Sequence, residues 1–211
     1  MGKKISSRIS DEYVWFSIGD SHSRELLTFF SSYGISAAAI SGGGVALVKQ
    51  YLASHNYHNG RISCYFVLIG GNDLDANKPA KVIAREICYL VQEIAKRNPD
   101  CVVITGSVIP RGKGDQFLCL SEGLDQEMAK FAINHHHFLS DLFVAAPCGR
   151  ARLVQPRLNL YKHDLTHLNA EGLELYKQLL TFIISCVNWG DFKGKLNVPC
   201  GRESRTVLWK F

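Results

Sequence analysis

The sequence lacks any apolar run long enough to cross a bilayer. Its longest candidate, Leu173 to Val187, is interrupted by Glu174, Lys177 and Gln178, whereas a spanning helix needs roughly 20 mostly apolar residues. No cleavable leader is visible, because the first apolar stretch, Tyr13 to Ile18, is short and runs directly into Gly19-Asp20-Ser21. The Gly-Lys-Ser/Thr ending of a phosphate loop and the full dinucleotide glycine spacing are both missing, which ranks nucleotide binding low. Internal repeats and low-complexity segments are absent too. Charge is sparse: 20% of the 211 residues are charged against 46% hydrophobic, the balance of one domain with a substantial core. Cysteine is not scarce. Seven cannot all pair, and most sit in apolar runs where a reduced thiol acts as a small hydrophobe. The expected setting is therefore reducing, intracellular and cytoplasmic.

The net charge of +5 is unevenly placed. Met1 to Ser10 and Asn188 to Phe211 each carry +3, leaving the centre at −1. The expected organisation is a basic N-terminal extension (1–10), a globular body (11–187) and a basic C-terminal extension (188–211). Basic ends suit an anionic partner such as RNA or acidic lipid, or simply keep mobile termini solvated.

Short apolar runs alternate with longer helix-like segments. The runs are Tyr13 to Ile18, Ile35 to Ile40, Cys64 to Ile69, Cys101 to Thr105 and Phe138 to Val144. Between the third and fourth, Ile83, Ile87, Leu90 and Ile94 recur at helical spacing, with Lys81, Arg85, Glu93 and Lys96 elsewhere on the wheel. Leu173, Tyr176, Leu180, Ile183 and Val187 repeat the pattern at the end, with Asn169 where an N-cap belongs. Nearly unbroken apolar strands suit a parallel sheet buried on both faces. The alternation predicts an α/β fold, a three-layer α/β/α sandwich with a doubly wound, mainly five-stranded parallel sheet.

Ligands of such sheets bind beyond the carboxyl ends of the strands. There the sequence places Gly19-Asp20-Ser21, Ser41-Gly42-Gly43-Gly44 and Gly70-Gly71-Asn72-Asp73. Ser21, at the first turn of a helix, would have backbone donors and the positive helix end beside its oxygen. An Asp-Ser pair before a helix also serves as a cap. Asp164 and His167 stand three apart before the final helix, so the carboxylate can reach the imidazole, fix its tautomer and leave the other nitrogen to take a hydroxyl proton. His163 is a rival base. The Asn72 amide can donate to an oxyanion, although asparagine is also a common turn residue. A backbone N–H of the glycine loop can join it.

Together these four blocks, in this order, resemble the SGNH (GDSL-type) hydrolases over about Tyr13 to Val187. The resemblance implies a flavodoxin-like fold with Ser21 as nucleophile, His167 as base and Asp164 as its partner. It also implies an oxyanion hole from the amides of Ser21 and Gly42 (or Gly43) and the Asn72 side chain. In this sequence Gly-Asp-Ser is followed by His22-Ser23-Arg24 rather than the commoner small residues. An α/β-hydrolase would want a Gly-x-Ser-x-Gly elbow and an acid far from the histidine, and neither is present.

The expected reaction is hydrolysis of a small acyl ester, short-chain or acetyl, through an acyl-enzyme with no cofactor and no metal. His135-His136-His137 alternate across a strand and lie at no usual ligand spacing. Arg111, Arg150 and Arg152, with Lys113 and Arg157, are expected to line the catalytic edge as a substrate rim. Cys148, in a loop near that edge, reads as incidental. Two further readings share the same residues: acyl transfer to an acceptor other than water, and a binding module that holds RNA or anionic membrane through its tails. The latter is similar to esterase domains attached to LINE-type retrotransposon proteins. Oligomeric state is not legible in the sequence.

Overall fold

The computed structural model describes residues 5–8, 15–55, 62, 64–98, 101–106, 108–112, 115–130, 135–136, 143–148, 151–156 and 158–188. In chain order its elements are β1 (Ile5–Arg8), β2 (Trp15–Gly19), α1 (Ser21–Glu25), α2 (Leu27–Ser32), β3 (Ser36–Ile40), α3 (Val45–Ser54), β4 (Cys64–Leu68) and α4 (Gly71–Asp75). They continue with α5 (Ala80–Arg97), β5 (Val102–Gly106), α6 (Asp115–Lys130), β6 (His135–His136), β7 (Phe143–Cys148), β8 (Ala151–Pro156), a 3₁₀ turn at Leu158–Leu160, and α7 (Ala170–Asn188).

The main sheet runs β1-β3-β2-β4-β5-β6, with β3, β2, β4, β5 and β6 mutually parallel. Four of the parallel strands coincide with apolar runs of the sequence and are five residues long. Because successive side chains alternate across the sheet, each strand supplies both faces. In β4, Tyr65 and Val67 enter one core with Val48, Ile83, Leu90 and Met128, whereas Phe66 and Leu68 enter the other with Leu26, Phe30, Tyr176 and Leu180. Helices α3, α5 and α6 thus cover one face, and α1, α2 and α7 the other. Ile83, Ile87, Leu90 and Ile94 are buried along α5, as their spacing predicts.

Three expectations need correction. Among the described residues the fifth parallel strand is the short β6, pairing His135 with Thr105 and His136 with Gly106; residues 138–142 of the expected run Phe138 to Val144 lie outside the described residues. The last residues of that run, Phe143 and Val144, instead open a separate antiparallel ribbon in which β7 pairs with β8. An apolar run signals burial but not which strand it will pair with, and a marginal edge strand needs little apolar sequence. Cys148 consequently lies in β7 opposite Ala151 rather than in a loop. Finally, Ile5 to Arg8, read from the sequence as part of a basic extension, add to the sheet as an antiparallel edge strand on β3. Residues from Trp189 onward, including most of the basic C-terminal segment, lie outside the described residues.

The order of the parallel strands places the switch point between β2 and β4, from which the first crossover leads to one side and the next to the other. Ligand crevices of doubly wound sheets form there. No described helix is long and apolar enough to cross a membrane. Phe16 is fully buried in the β2 register, and Phe16→Ala is expected to lower unfolding free energy by about 3–5 kcal/mol, measured from urea unfolding curves.

Candidate active site

Strand β2 ends at Gly19, and the chain turns at once into α1. Asp20 is the N-cap, accepting a hydrogen bond from the His22 backbone N–H at 3.0 Å. This places Ser21 in the first helical turn with a nearly buried side chain. Asp20 thus performs the capping role its sequence position suggested, and that cap sets the direction in which Ser21 points.

The partner loop is built over residues 160–169. An isolated bridge joins Tyr161 and Leu168, with Lys162 N–H donating to the His167 carbonyl at 2.8 Å and Asn169 N–H to that of Leu160 at 2.9 Å. Asn169 also caps α7, its Oδ1 accepting from Gly172 N–H at 3.0 Å. Inside this frame one Asp164 oxygen accepts from the backbone N–H groups of Thr166 and His167, both at 2.9 Å. The turn carries Leu165 at φ 50°, a left-handed conformation that a bulky residue adopts only where the surrounding structure imposes it.

The second Asp164 oxygen meets His167 Nδ1 at 2.6 Å, and His167 Nε2 lies 2.9 Å from Ser21 Oγ. Because ionised Asp164 accepts a hydrogen bond from Nδ1–H, Nε2 is the nitrogen that can accept a proton from the hydroxyl. Serine, histidine and aspartate therefore form a continuous chain, and His163 is exposed and outside it. The backbone and side-chain hydrogen bonds of His167, with the Thr166 N–H, hold the Asp164 carboxyl well below the usual carboxylate range.

Asn72 lies in the first turn of α4, after Gly70, whose φ of 119° suits glycine alone at this reversal from strand to helix. Its amide is oriented from both ends. Nδ2 donates to the Gly43 carbonyl at 2.9 Å, and Oδ1 accepts from Arg111 Nη2 at 3.3 Å. The other arm of Arg111 is ion-paired to Asp75. Arg111 is 1% exposed and passes so near the main chain that a Cβ on Gly71 would stand 2.7 Å from Nη2. This corrects the expectation of an exposed rim at Arg111, which is a buried strut behind Asn72. Arg150, Lys113 and Arg157 lie outside the described residues, and Arg152 is placed only by its backbone, opposite Pro147 in the β7–β8 ribbon.

In the glycine loop, Gly42 turns the chain with φ 64°, while the Gly43 N–H is committed to the Ile40 carbonyl at 2.8 Å. Sequence reasoning assigned nothing to Asp73. Its Oδ2 accepts from the Val45 N–H at 2.9 Å and so caps α3 from across the site. Gly-Asn-Asp after a strand carried a turn signal, but not which helix the aspartate would reach. Among the described residues no group of three or more histidine, cysteine or acidic side chains is placed to hold a metal ion.

No protein-family model matches the chain, and no curated protein matches it in sequence. Solved structures do. The chain is similar to a GDSL-like lipase from Bacteroides thetaiotaomicron at 18% identity and TM-score 0.63, covering 86% of this chain and 92% of that one. It is similar to a carbohydrate esterase family 3 from Talaromyces cellulolyticus at 14% identity and TM-score 0.60, covering 83% and 99%. The psychrotrophic esterase EstA from Pseudoalteromonas sp. matches at 14% identity and TM-score 0.55, covering 82% and 98%. The chain therefore has the SGNH (GDSL-type) fold that its motif order resembles.

The depressed pKa of Asp164 implies a pH window. A carboxyl lowered on folding stabilises the native state above its unfolded value of ~3.9, and that contribution fades only as pH falls through the lower native value. The Asp164 carboxyl carbon resonance is expected to stay flat from pH 7 to about 4, near the ordinary aspartate value. A titration midpoint at that ordinary value would refute the placement.

Proposed function

We propose that this chain is a serine esterase cleaving carboxylic esters through an acyl-enzyme, with Ser21 as nucleophile, His167 as general base and acid, and Asp164 holding the imidazole. The observation that carries this reading is the chain from Ser21 Oγ to His167 at 2.9 Å and on to Asp164 at 2.6 Å. As Oγ attacks the acyl carbonyl, its proton passes to His167 Nε2, while ionised Asp164 stabilises the resulting imidazolium without taking the proton. His167 returns that proton to the leaving alkoxide. Water, deprotonated by His167, then attacks the acyl-serine, releases the acid and restores Oγ–H.

The tetrahedral oxyanion is received by the amides of Ser21 and Gly42 and by Asn72. With Oδ1 turned toward Arg111 and one Nδ2 hydrogen on the Gly43 carbonyl, the Asn72 amide has one hydrogen left to donate. The Gly43 N–H already closes a turn on the Ile40 carbonyl. Acetyl and other short acyl groups are the substrates of this proposal, and faster cleavage of long-chain esters would overturn that part of it.

The lipase and esterase names of the structural neighbours agree with ester cleavage. Binding of RNA or anionic membrane would draw on the basic ends, which lie largely outside the described residues, and no geometry of the site favours it.

Hydrolysis of p-nitrophenyl acetate and its longer homologues, by the chain and by folded Ser21→Ala, tests the reading. Saturable activity lost in the variant is expected. Equal rates for the two would sink the esterase assignment in favour of a binding module. Asn72→Ala is expected to reduce kcat ~10²–10³-fold. Arg111→Met, which frees the amide to rotate, should lower kcat while leaving KM within about twofold, read from initial-rate kinetics on the same ester.

A further inference from the structure

His22 directly follows Ser21 in α1. Its side chain is nearly buried and turns back under the site. Ring Nε2 lies 2.8 Å from the Thr166 carbonyl, and ring Nδ1 3.3 Å from the same Asp20 oxygen that caps α1. The ring packs against that of His167, with centroids 5.2 Å apart and planes inclined by 33°. Two contacts therefore tie the catalytic segments together in parallel: Ser21 to His167, and one residue on, His22 to the residue before His167.

The two acceptors determine the protonation of this ring. A carbonyl oxygen only accepts, so Nε2 carries hydrogen. An ionised Asp20 also only accepts, so a bare Nδ1 would turn a lone pair toward a carboxylate oxygen. Both contacts are attractive when both nitrogens are protonated. We propose that His22 is a positioning residue held as an imidazolium, which binds the Thr166 carbonyl and the Asp20 carboxylate together and thereby sets the His167 loop against the nucleophile helix.

The neighbouring charges support this state. Burial alone would pull the His22 imidazole down, but its bond to Asp20, the Asp20 charge and the Thr166 carbonyl outweigh burial and hold it above the usual histidine range. Burial would likewise raise Asp20, and its bond and charge interaction with His22 reverse that and hold it low. Arg111 opposes the His22 charge from across a small cavity lined by Asp20, His22, Gly71, Arg111 and Tyr176. Its own charge is partnered by Asp75. His167, whose ring is tilted against that of His22, has Asp164 on its Nδ1. The site thus contains two adjacent histidine–aspartate pairs, so the proton that reaches His167 in the proposed reaction arrives beside a cation already neutralised by its own carboxylate. Since folding raises the His22 pKa, its contribution is complete below the unfolded histidine value of ~6.5 and is lost as pH rises through the native value.

The direct test needs no substrate. In the full chain labelled with ¹⁵N-histidine, two-bond ¹H–¹⁵N correlation just above the ordinary histidine value of ~6.5 is expected to show one ring with both nitrogens protonated. That ring is assigned by its loss in His22→Phe or His22→Gln, whichever folds. A His22 ring with a bare nitrogen at that pH overturns the proposal.

The kinetic arm rests on the esterase reading. His22→Phe keeps an aromatic ring beside His167 but loses both donors, and is expected to lower kcat roughly 10–100-fold with KM within twofold. His22→Gln, which keeps a neutral donor, should recover part of that loss. Wild-type kcat in folded His22→Phe would equally overturn the positioning role. If the wild-type chain hydrolyses no ester, the esterase reading fails by itself and the ¹⁵N spectrum decides the fate of this one.

Discussion

The hydrogen bond between Ser21 Oγ and His167 Nε2 joins residues 146 positions apart, and the rest of the architecture keeps those two groups within 2.9 Å. Ser21 is rooted in a β2–α1 turn at the centre of the sheet. His167 hangs from a loop that leads into α7 on one face of that sheet. Their meeting depends on α7 seating correctly, which is the work of Tyr176, Leu180 and Ile184 packed into the same core as Leu26, Phe30 and Phe66. Packing errors of an ångström in that layer would fall directly on the hydrogen bond that the proposed chemistry requires.

Around this contact the polar groups serve as a frame of mutual constraint. Asp164 spends one oxygen on the backbone of its own turn and the other on the imidazole, so the loop's conformation and the tautomer of His167 are set by one carboxylate. Asn72 is held at both ends of its amide, by Arg111 and by the Gly43 carbonyl. Asp73, its neighbour, caps the helix that leaves the glycine loop. Asn72 and Asp73, both in α4, reach across to the glycine loop, while Asp164 holds the turn that carries His167, so each contact restrains a side chain of the site.

The price of this arrangement is the burial of charge. Asp20, His22 and Arg111 are all nearly withdrawn from solvent, a position that charged groups hold only when paired. Asp20 answers His22 and Asp75 answers Arg111. Buried thiols elsewhere follow the opposite rule: Cys88, with desolvation as its cause, is pushed up to about 11 and remains a neutral core group. Sequence identity of 14–18% to structures of the same fold is compatible with this, because a core demands apolar volume in the right pattern.

Much of this was legible without coordinates. Alternating apolar runs and helical periodicity specify a doubly wound α/β sheet because burial on one or both faces is a local property of composition and period. The spacing of Asp164 and His167 specifies their contact, because three residues in a turn bring side chains within reach. What the sequence by itself determined was therefore the layer order, the strand-end location of the site and the pairing of Asp164 with His167, which the fold brings to Ser21. Tertiary structure alone decided that β1 pairs antiparallel on the edge, that His135–His136 extend the sheet while Phe143 and Val144 join a separate ribbon, that Arg111 lies behind Asn72, and that His22 reaches the Thr166 carbonyl in the loop of His167. Strand pairing and buried ion partners are set by which surfaces meet in three dimensions, a choice that neither propensity nor spacing along the chain encodes.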